Sequence, residues 1–252
     1  MLTSVWLIFL AFVDAALGAL LVFAATSLGS LVVFFVDCLD RRVYSILLSF
    51  ASGVMLYSAF EMSASAGSSL GWVYGLAFVA IGATGFVLFE RSMPHMHILR
   101  KSKLAGDRNA PLIAGAVTLH NIPEGIAIGS AFASSTPLGW LVSVSMALQD
   151  IPEGLSVSAP LACYGMDKRA SLMFGILSGL VEAVFALIGY YFLMLVAWVV
   201  PYGLAISAGA MFAVVFVELL PDAFKPGQER TAGLCLLSGL AIAFVLASIV
   251  RF

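Results

Sequence analysis

Charged residues are scarce in this chain of 252 residues: 12 are lysine or arginine and 14 are aspartate or glutamate, together 10% of the sequence. Soluble domains carry about 25% charged residues, and so few charges do not cover a water-soluble globule of this size. The net charge of −2 leaves no basic face for nucleic acid. Because 62% of the residues are hydrophobic, the composition excludes a soluble enzyme and a nucleic-acid-binding protein and predicts a polytopic membrane protein.

Cysteine is also rare, since the chain has only Cys38, Cys163 and Cys235. They lack CxxC spacing, so we expect neither a disulfide framework nor a thiolate metal site. No basic residue precedes the first apolar run, which therefore indicates a retained first span and not a cleaved signal peptide. The sequence contains no P-loop, which excludes an ATP-driven process on this chain.

Eight apolar stretches of about 20 residues are each long enough to cross a bilayer as a helix. They cover 5–25, 44–64, 71–89, 111–132, 138–162, 170–194, 202–220 and 231–250. We therefore expect an all-α polytopic membrane protein with eight transmembrane helices, forming a single transmembrane domain over residues 1–252. The longest polar connector, over 90–110, would be a histidine-containing cytoplasmic loop within that domain.

Lysine and arginine residues indicate the orientation, because they concentrate on the cytoplasmic side of membrane proteins. With the N-terminus outside, eleven of the twelve lie in inner connectors and only Arg251 lies outside. The tryptophans then all fall at outer ends of spans, as an interfacial belt would: Trp6, Trp72, Trp140 and Trp198. Both termini are therefore expected outside.

A weak internal repeat links the second and seventh spans. Residues 51–55 (ASGVM), followed by Glu61, resemble residues 207–211 (SAGAM), followed by Glu218. The two spans run in opposite directions, and inverted repeats are common in transporters. We expect an inverted repeat of spans 1–3 and 6–8 around spans 4–5, with chance similarity between small-residue helices as the alternative.

Carboxylates occur inside the predicted spans without lysine or arginine beside them, although charges in a bilayer core are costly. These residues are Asp14, Glu61, Glu124, Asp150, Glu153, Glu182 and Glu218. They must be protonated, hydrated or neutralised by bound cations. At 1.5 Å per residue, the residues expected near mid-membrane are Met55, His120, Gln149 and Glu182. Glu61 is expected near an outer helix end and Glu218 near an inner one, a distribution typical of a cation path.

A stronger repeat places two related motifs on consecutive spans: residues 120–125 read HNIPEG and residues 149–154 read QDIPEG. Positions i and i+4 share a helix face, so the first and fifth residues of each motif point the same way, with Asn121 and Asp150 beside them. Imidazole with carboxylates favours zinc, iron or nickel over magnesium and calcium. Proline–glycine kinks that only hydrogen-bond the helices together are the alternative, disfavoured because the motif occurs twice at matching depth.

The paired motif resembles that of the ZIP (Zrt/Irt-like protein) family of divalent-metal transporters, and the resemblance covers the whole chain. It implies transport of Zn²⁺ first, and of Fe²⁺, Mn²⁺ or Cd²⁺, into the cytoplasm through a binuclear mid-membrane site, without an organic cofactor or enzymatic activity. One metal site would use Met55, His120, Glu124, Gln149 and Glu153. The second would use Asn121, Asp150 and Glu182, with Glu124 and Glu153 bridging. Many members have His-Asn where this chain has Gln149-Asp150, which puts the metal preference in question.

The resemblance also assigns roles outside the centre. Glu61 would be an entrance ligand, Glu218 an exit ligand, and His95 and His97 of the cytoplasmic loop would transiently receive or sense the metal. The partners expected are divalent metal ions and the lipid of the plasma (inner) membrane, with a homodimer as one candidate assembly. An intramembrane metal-dependent hydrolase is the alternative function. The sequence argues against it, because it has no HExxH motif and has carboxylates at both mouths of a path. A proton-coupled carrier of organic solutes is weaker still, because no basic group would bind the solute.

Overall fold

The computed structural model describes residues 2–36, 38–92, 110–163 and 165–250, with side chains over 10–36, 38–91, 120–163 and 165–249. The described chain is helical and contains no strand, which confirms the all-α fold class. Its long helices are α1 Leu2–Leu31, α2 Arg41–Leu70, α3 Trp72–Ser92, α4 Ala110–Ser134, α5 Thr136–Cys163, α6 Lys168–Leu195, α7 over 200–223 and α8 Glu229–Val250. Each contains most or all of one apolar stretch predicted from the sequence.

Helix α7 is irregular. It is α-helical over Val200–Ala213, π-helical over Val214–Leu219 and α-helical again over Leu220–Ala223. Short 3₁₀ turns follow α1 and α6, at Val32–Phe34 and Ala197–Val199.

Six of the helices are long and apolar enough to cross a membrane, namely α1, α2, α3, α6, α7 and α8. The other two, α4 and α5, carry the paired motif. Large apolar side chains such as Val73, Leu195 and Leu237 are exposed on the surface of the bundle, where only lipid would shield them from water. The chain is a polytopic membrane protein, as its composition predicts.

The eight helices pack as two groups of four. In the first helix group, α1 packs most closely against α5 and α4 against α6; in the second, α2 packs most closely against α8 and α3 against α7. The two groups meet mainly where α2 contacts α5 and where α4 contacts α7. The boundary between the groups is therefore formed partly by the two helices that carry the motif.

Glycines explain the closeness of α1 and α5. A Cβ atom on Gly154 would clash with the carbonyl oxygen of Thr26, and one on Gly29 would clash with that of Ile151. Small residues let the backbones of membrane helices approach each other in this way. The last residue of the QDIPEG motif thus has a packing role that its sequence context did not reveal.

Polar side chains also join α1 to α5. Ser30 Oγ donates a hydrogen bond to the Gly154 carbonyl at 3.1 Å, and Ser158 Oγ donates to the Ser30 carbonyl at 3.2 Å. Nearer the other end, Trp140 Nε1 donates to Asp14 Oδ1 at 3.2 Å. Asp14, to which the sequence assigned no role, is therefore an interhelical hydrogen-bond acceptor.

The expectation that the chain has no disulfide is wrong. Cys38, in the connector before α2, is bonded to Cys163, the last residue of α5, and their Cα atoms are 5.0 Å apart. The two residues are separated by 125 positions, so no local spacing motif could reveal the pair. They meet because α1 and α5 pack together and end on the same side. Cys235 on α8 is a free thiol.

Candidate metal site

The paired motif lies on a helical hairpin. A single residue, Ser135, separates α4 from α5, so the two helices run back along each other. His120 lies 14 residues before the end of α4 at Ser134, and Gln149 lies 13 residues after the start of α5 at Thr136. The two motifs therefore lie at the same depth. Pro123 and Pro152 are inside their helices, which continue past them.

Because the helices are antiparallel, the first residue of each motif contacts the fifth residue of the other. His120 Nε2 lies 3.1 Å from Glu153 Oε1, and Gln149 Nε2 donates a hydrogen bond to Glu124 Oε1 at 2.9 Å. Ligand atoms of His120, Glu124 and Glu153 all lie within 4.8 Å of one another, close enough to bind one metal ion. The structure thus joins the imidazole and the two glutamates that the sequence predicted as one site.

These side chains are buried. Glu124 is fully buried, His120 and Gln149 are 5% and 1% exposed, and the side chain of Glu153 is 10% exposed. An ionised carboxylate is costly to bury unless a charge or hydrogen bonds stabilise it. Glu124 Oε2 and Gln149 Oε1 have no hydrogen-bond partner among the described residues. Their lone pairs remain available for a cation.

A second set of polar residues is buried beside this cluster. Asn121, Asp150 and Glu182 are each fully buried, and within the part of the chain that the structure describes the polar side-chain atoms of all three lack a hydrogen-bond partner. Asp150 interacts electrostatically with Glu182, Glu153 and Glu124. Buried polar atoms without partners are rare in folded proteins, so this set is suited to a ligand.

Gly125, which ends the HNIPEG motif, allows Glu182 to lie near this set. A Cβ atom on Gly125 would clash with the carbonyl oxygen of Glu182 on α6. The absence of a side chain brings the α6 backbone against α4 at the level of the motif. The sequence identified Glu182 by its depth and by the family resemblance, and it did not reveal this reason for its position.

Glu218 lies closer to the centre than its predicted position at an inner helix end indicated. Its Oε2 is 3.5 Å from His120 Nδ1, without hydrogen-bond geometry. Glu218 belongs to the π-helical turn of α7, and such turns are frequent at functional sites. No sequence pattern indicates the extra residue of a π turn, which rotates the side chains that follow it.

Two further residues of the predicted site lie on α2. Met55 on α2 is 1% exposed and belongs to the apolar core. Glu61, farther along α2, accepts a hydrogen bond from Tyr57 Oη at 2.6 Å. With Ser65, Ser68 and Ser135, among others, it lines a cavity of about 330 Å³. His95 and His97 lie outside the described residues, as does most of the 90–110 loop.

Comparison with known proteins decides the family. The profile of the family described as ZIP zinc transporter matches residues 100–247, more than half of the chain and all of the paired motif. The chain belongs to the ZIP family. Zinc transporter ZIPB of Bordetella bronchiseptica is 32% identical over 246 residues, a match that covers 92% of this chain and 80% of that relative.

Two other relatives of this ZIP protein are also named as zinc transporters. Zinc transporter GufA of Myxococcus xanthus is 36% identical over 174 residues, covering 68% of both chains. Zinc transporter ZupT of Escherichia coli is 31% identical over 222 residues, covering 82% of this chain and 86% of the relative. The resemblance noted from the paired motif is confirmed: the chain is a divalent-metal transporter and not an enzyme, and its buried histidine–glutamate cluster is compatible with a metal site.

Proposed function

We propose that this ZIP protein transports Zn²⁺ into the cytoplasm, and that the ion crosses through the cluster of His120, Glu124 and Glu153. The main observation in support is that ligand atoms of one imidazole and two carboxylates lie within 4.8 Å of one another in the buried centre of the bundle. Imidazole nitrogen and carboxylate oxygen are ligands that zinc binds in proteins. Several relatives are named as zinc transporters, which supports zinc as the first substrate to test, ahead of Fe²⁺, Mn²⁺ or Cd²⁺.

The proposed site is binuclear. Met55, His120, Glu124, Gln149 and Glu153 would bind one ion, and Asn121, Asp150 and Glu182 the other, with Glu124 and Glu153 bridging. Two divalent ions bring four positive charges, which balance the four carboxylates Glu124, Asp150, Glu153 and Glu182. The unpaired buried atoms of Asn121, Asp150 and Glu182 support the second position.

A path through the protein follows from the other acidic groups. The cavity beside Glu61 would admit a hydrated ion from outside, and its serine hydroxyls offer further oxygen atoms to the ion. Glu218 contacts His120 and would accept the ion on leaving the centre, before His95 and His97 of the cytoplasmic loop receive it. The carboxylates thus form successive positions of similar chemistry.

The proposed topology has eight transmembrane helices with both termini outside, in the plasma (inner) membrane. Trp72 begins α3 and Trp198 lies in the 3₁₀ turn before α7; both are exposed and belong to the end of the bundle assigned to the outside. Arg41 and Lys168 begin α2 and α6 at the opposite end. The positive-inside rule then places that opposite end in the cytoplasm.

Helix pairing supports the inverted repeat. In the α2–α8 pair, a Cβ on Gly53 would clash with the Leu236 carbonyl; in the α3–α7 pair, a Cβ on Gly209 would clash with that of Val79. Gly53 and Gly209 are equivalent positions of the repeated sequence. The repeat makes helices α1, α2 and α3 equivalent to α6, α7 and α8, and α4 equivalent to α5. It therefore relates the pair of α1 and α5 to the pair of α6 and α4, and the pair of α2 and α8 to the pair of α7 and α3. These are the close helix pairs of the bundle.

Zinc uptake into proteoliposomes tests the proposal. The purified protein is reconstituted around a zinc-sensitive dye, and the wild type is compared with Glu153→Gln, which keeps the side-chain size but removes the charge. Glu229→Gln, at the exposed start of α8, is the matched control. We expect zinc-dependent fluorescence in the wild type and control and a large loss in Glu153→Gln. Equal uptake by both variants would show that the cluster does not conduct the ion.

A further inference from the structure

The Cys38–Cys163 disulfide fastens the connector between the two helix groups to the end of α5, at one end of the bundle. Cys163 ends α5 of the first helix group, and Cys38 lies three positions before Arg41, where α2 of the second helix group begins. Both cysteines are exposed. The bond is therefore accessible, and it fixes one point of the connector that leads from the first group to the second.

The elements at each end of this bond are fastened within their own groups. The hydrogen bonds of Ser30 and Ser158 hold the last turns of α5 against α1. On the other side, Ser45 Oγ near the start of α2 donates a hydrogen bond of 2.6 Å to the Ala223 carbonyl at the end of α7. A force transmitted through the disulfide would therefore act on whole helix groups and not on a loose loop.

The disulfide shortens the link between the groups. Without it, the chain from Phe34, at the end of the turn after α1, to Arg41 spans seven residue steps, at most about 24 Å when fully extended. With it, the link from Cys163 crosses the 5.0 Å between the two cysteine Cα atoms and then takes three steps from Cys38 to Arg41, at most about 15 Å in all. Oxidation therefore removes roughly a third of the maximum length of the link at this end.

The length of this link matters because the metal cluster lies where the groups meet. His120, Glu124 and Glu153 belong to the first helix group, whereas Glu218, which contacts His120, belongs to the second. Because Glu124 is fully buried and His120 is 5% exposed, we expect the surrounding helices to separate when an ion leaves the cluster. A short covalent link between the groups opposes that separation at the end where it is attached.

We propose that Cys38 and Cys163 form a reversible redox site whose oxidation slows metal transport. The proposal rests on the orientation proposed above, which places both cysteines in the cytoplasm. Cytoplasmic thiols are kept reduced, and the disulfides found there are usually transient and redox-sensing. The pair is therefore a dithiol in resting cells and a disulfide under oxidative challenge.

The chemistry needs a hydroperoxide as oxidant and a cytoplasmic thiol as reductant. One thiolate attacks a peroxide oxygen, the O–O bond breaks, and a sulfenic acid and water form. The second thiolate attacks that sulfur, forming the S–S bond and releasing a second water, so two thiols and one H₂O₂ give one disulfide and two H₂O. For reduction, two reductant thiols deliver two electrons and two protons by thiol–disulfide exchange and become a disulfide themselves.

Two measurements test the proposal. In intact cells, thiols are trapped with a maleimide of high mass before and after peroxide treatment, and the gel shift counts the free cysteines. We expect the Cys38–Cys163 bond to be absent at rest and to form with peroxide. In proteoliposomes, zinc uptake is measured for oxidised and reduced protein after the reagents are removed, since thiol reductants bind zinc.

The matched controls are the Cys38→Ser/Cys163→Ser double variant and Cys235→Ser. Oxidation should lower the initial uptake rate several-fold in the wild type and in Cys235→Ser, and leave the double variant unchanged. Equal rates for fully oxidised and fully reduced wild type would overturn the proposal, as would a bond that is already complete in resting cells or never forms. Loss of uptake in every preparation, the double variant included, would count against zinc transport itself. The formation of the disulfide in peroxide-treated cells would then still test whether the two cysteines are a redox site.

Discussion

Glu124 and Asp150 are both buried carboxylates of the paired motif, but they have different roles in the proposed site. The ligand atoms of Glu124, His120 and Glu153 lie within 4.8 Å of one another, and Glu124 would bridge two ions. Asp150 interacts electrostatically with Glu182 and would bind only the second ion. The effects of replacing each residue therefore distinguish a binuclear site from a single one.

We expect Glu124→Gln to lose both bound ions and Asp150→Asn to lose chiefly one. Removing a bridging charge leaves both positions short of a ligand. Loss of even an outer-shell partner typically weakens metal affinity roughly 10–100-fold, and loss of a direct ligand should cost at least as much. Metal analysis of protein equilibrated with zinc checks this, with Asp40→Asn, at the exposed start of α2, as control. Equal losses in both variants would refute the bridging role.

Gln149 should set the metal preference. Its amide nitrogen donates to Glu124 Oε1, and its amide oxygen has no partner among the residues that the structure describes. Gln149 therefore offers a weak oxygen ligand where an imidazole would offer a strong nitrogen ligand. We expect Gln149→His to raise the affinity for Zn²⁺ relative to Mn²⁺. Competition uptake with both ions present measures this ratio. An unchanged ratio would remove Gln149 from the set of metal ligands.

Helices approach each other at glycines whose role depends on the partner helix. Gly125 contacts the α6 backbone at Glu182, whereas a Cβ on Gly233 of α8 would meet nothing within 4 Å. Both are helical glycines, so intrinsic helix propensity favours alanine at each by up to about 1 kcal/mol. Any difference between the two substitutions must come from packing.

Gly125→Ala should therefore destabilise the protein and Gly233→Ala should not. Overpacking costs about 1–3 kcal/mol, which exceeds the gain in helix propensity. The thermal midpoint in detergent should fall for Gly125→Ala and stay level or rise for Gly233→Ala, and zinc binding should weaken only in the first. If both variants kept the wild-type midpoint, the close contact between α4 and α6 would be wrong.

The elements themselves were predictable because apolar length and motif spacing are local properties. The eight stretches became eight long helices, and the i, i+4 spacing placed His120 and Glu124 on one face. Contacts that depend on tertiary packing were not predictable. Glu218 reaches His120 from a π turn with no sequence signal, and Cys38 pairs with Cys163 only because α1 packs on α5.

At the scale of the whole molecule, the orientation in the membrane governs which mouth faces the cytoplasm. The proposed orientation rests on the distribution of lysine and arginine, and it would also determine the redox environment of Cys38 and Cys163. Two exposed positions at opposite ends of the bundle can report it: Ser69, near the end of α2, and Glu229, at the start of α8.

Single cysteines at these positions, in a variant whose three native cysteines are serine, should label differently. A membrane-impermeant maleimide added to intact cells should modify Ser69→Cys, and should modify Glu229→Cys only after the cells are permeabilised. The same reagent on permeabilised cells is the control for reactivity. The reverse pattern would invert the topology and place the disulfide outside.

The most direct test of the central claim is anomalous X-ray scattering at the zinc absorption edge from crystals grown with zinc. We expect a strong peak within ligand distance of His120 Nε2 and oxygens of Glu124 and Glu153, and a second peak beside Asp150 and Glu182. Crystals that bind zinc only at surface or loop positions, with no peak at the cluster, would contradict the assignment of the buried histidine–glutamate cluster as the site that the transported ion occupies.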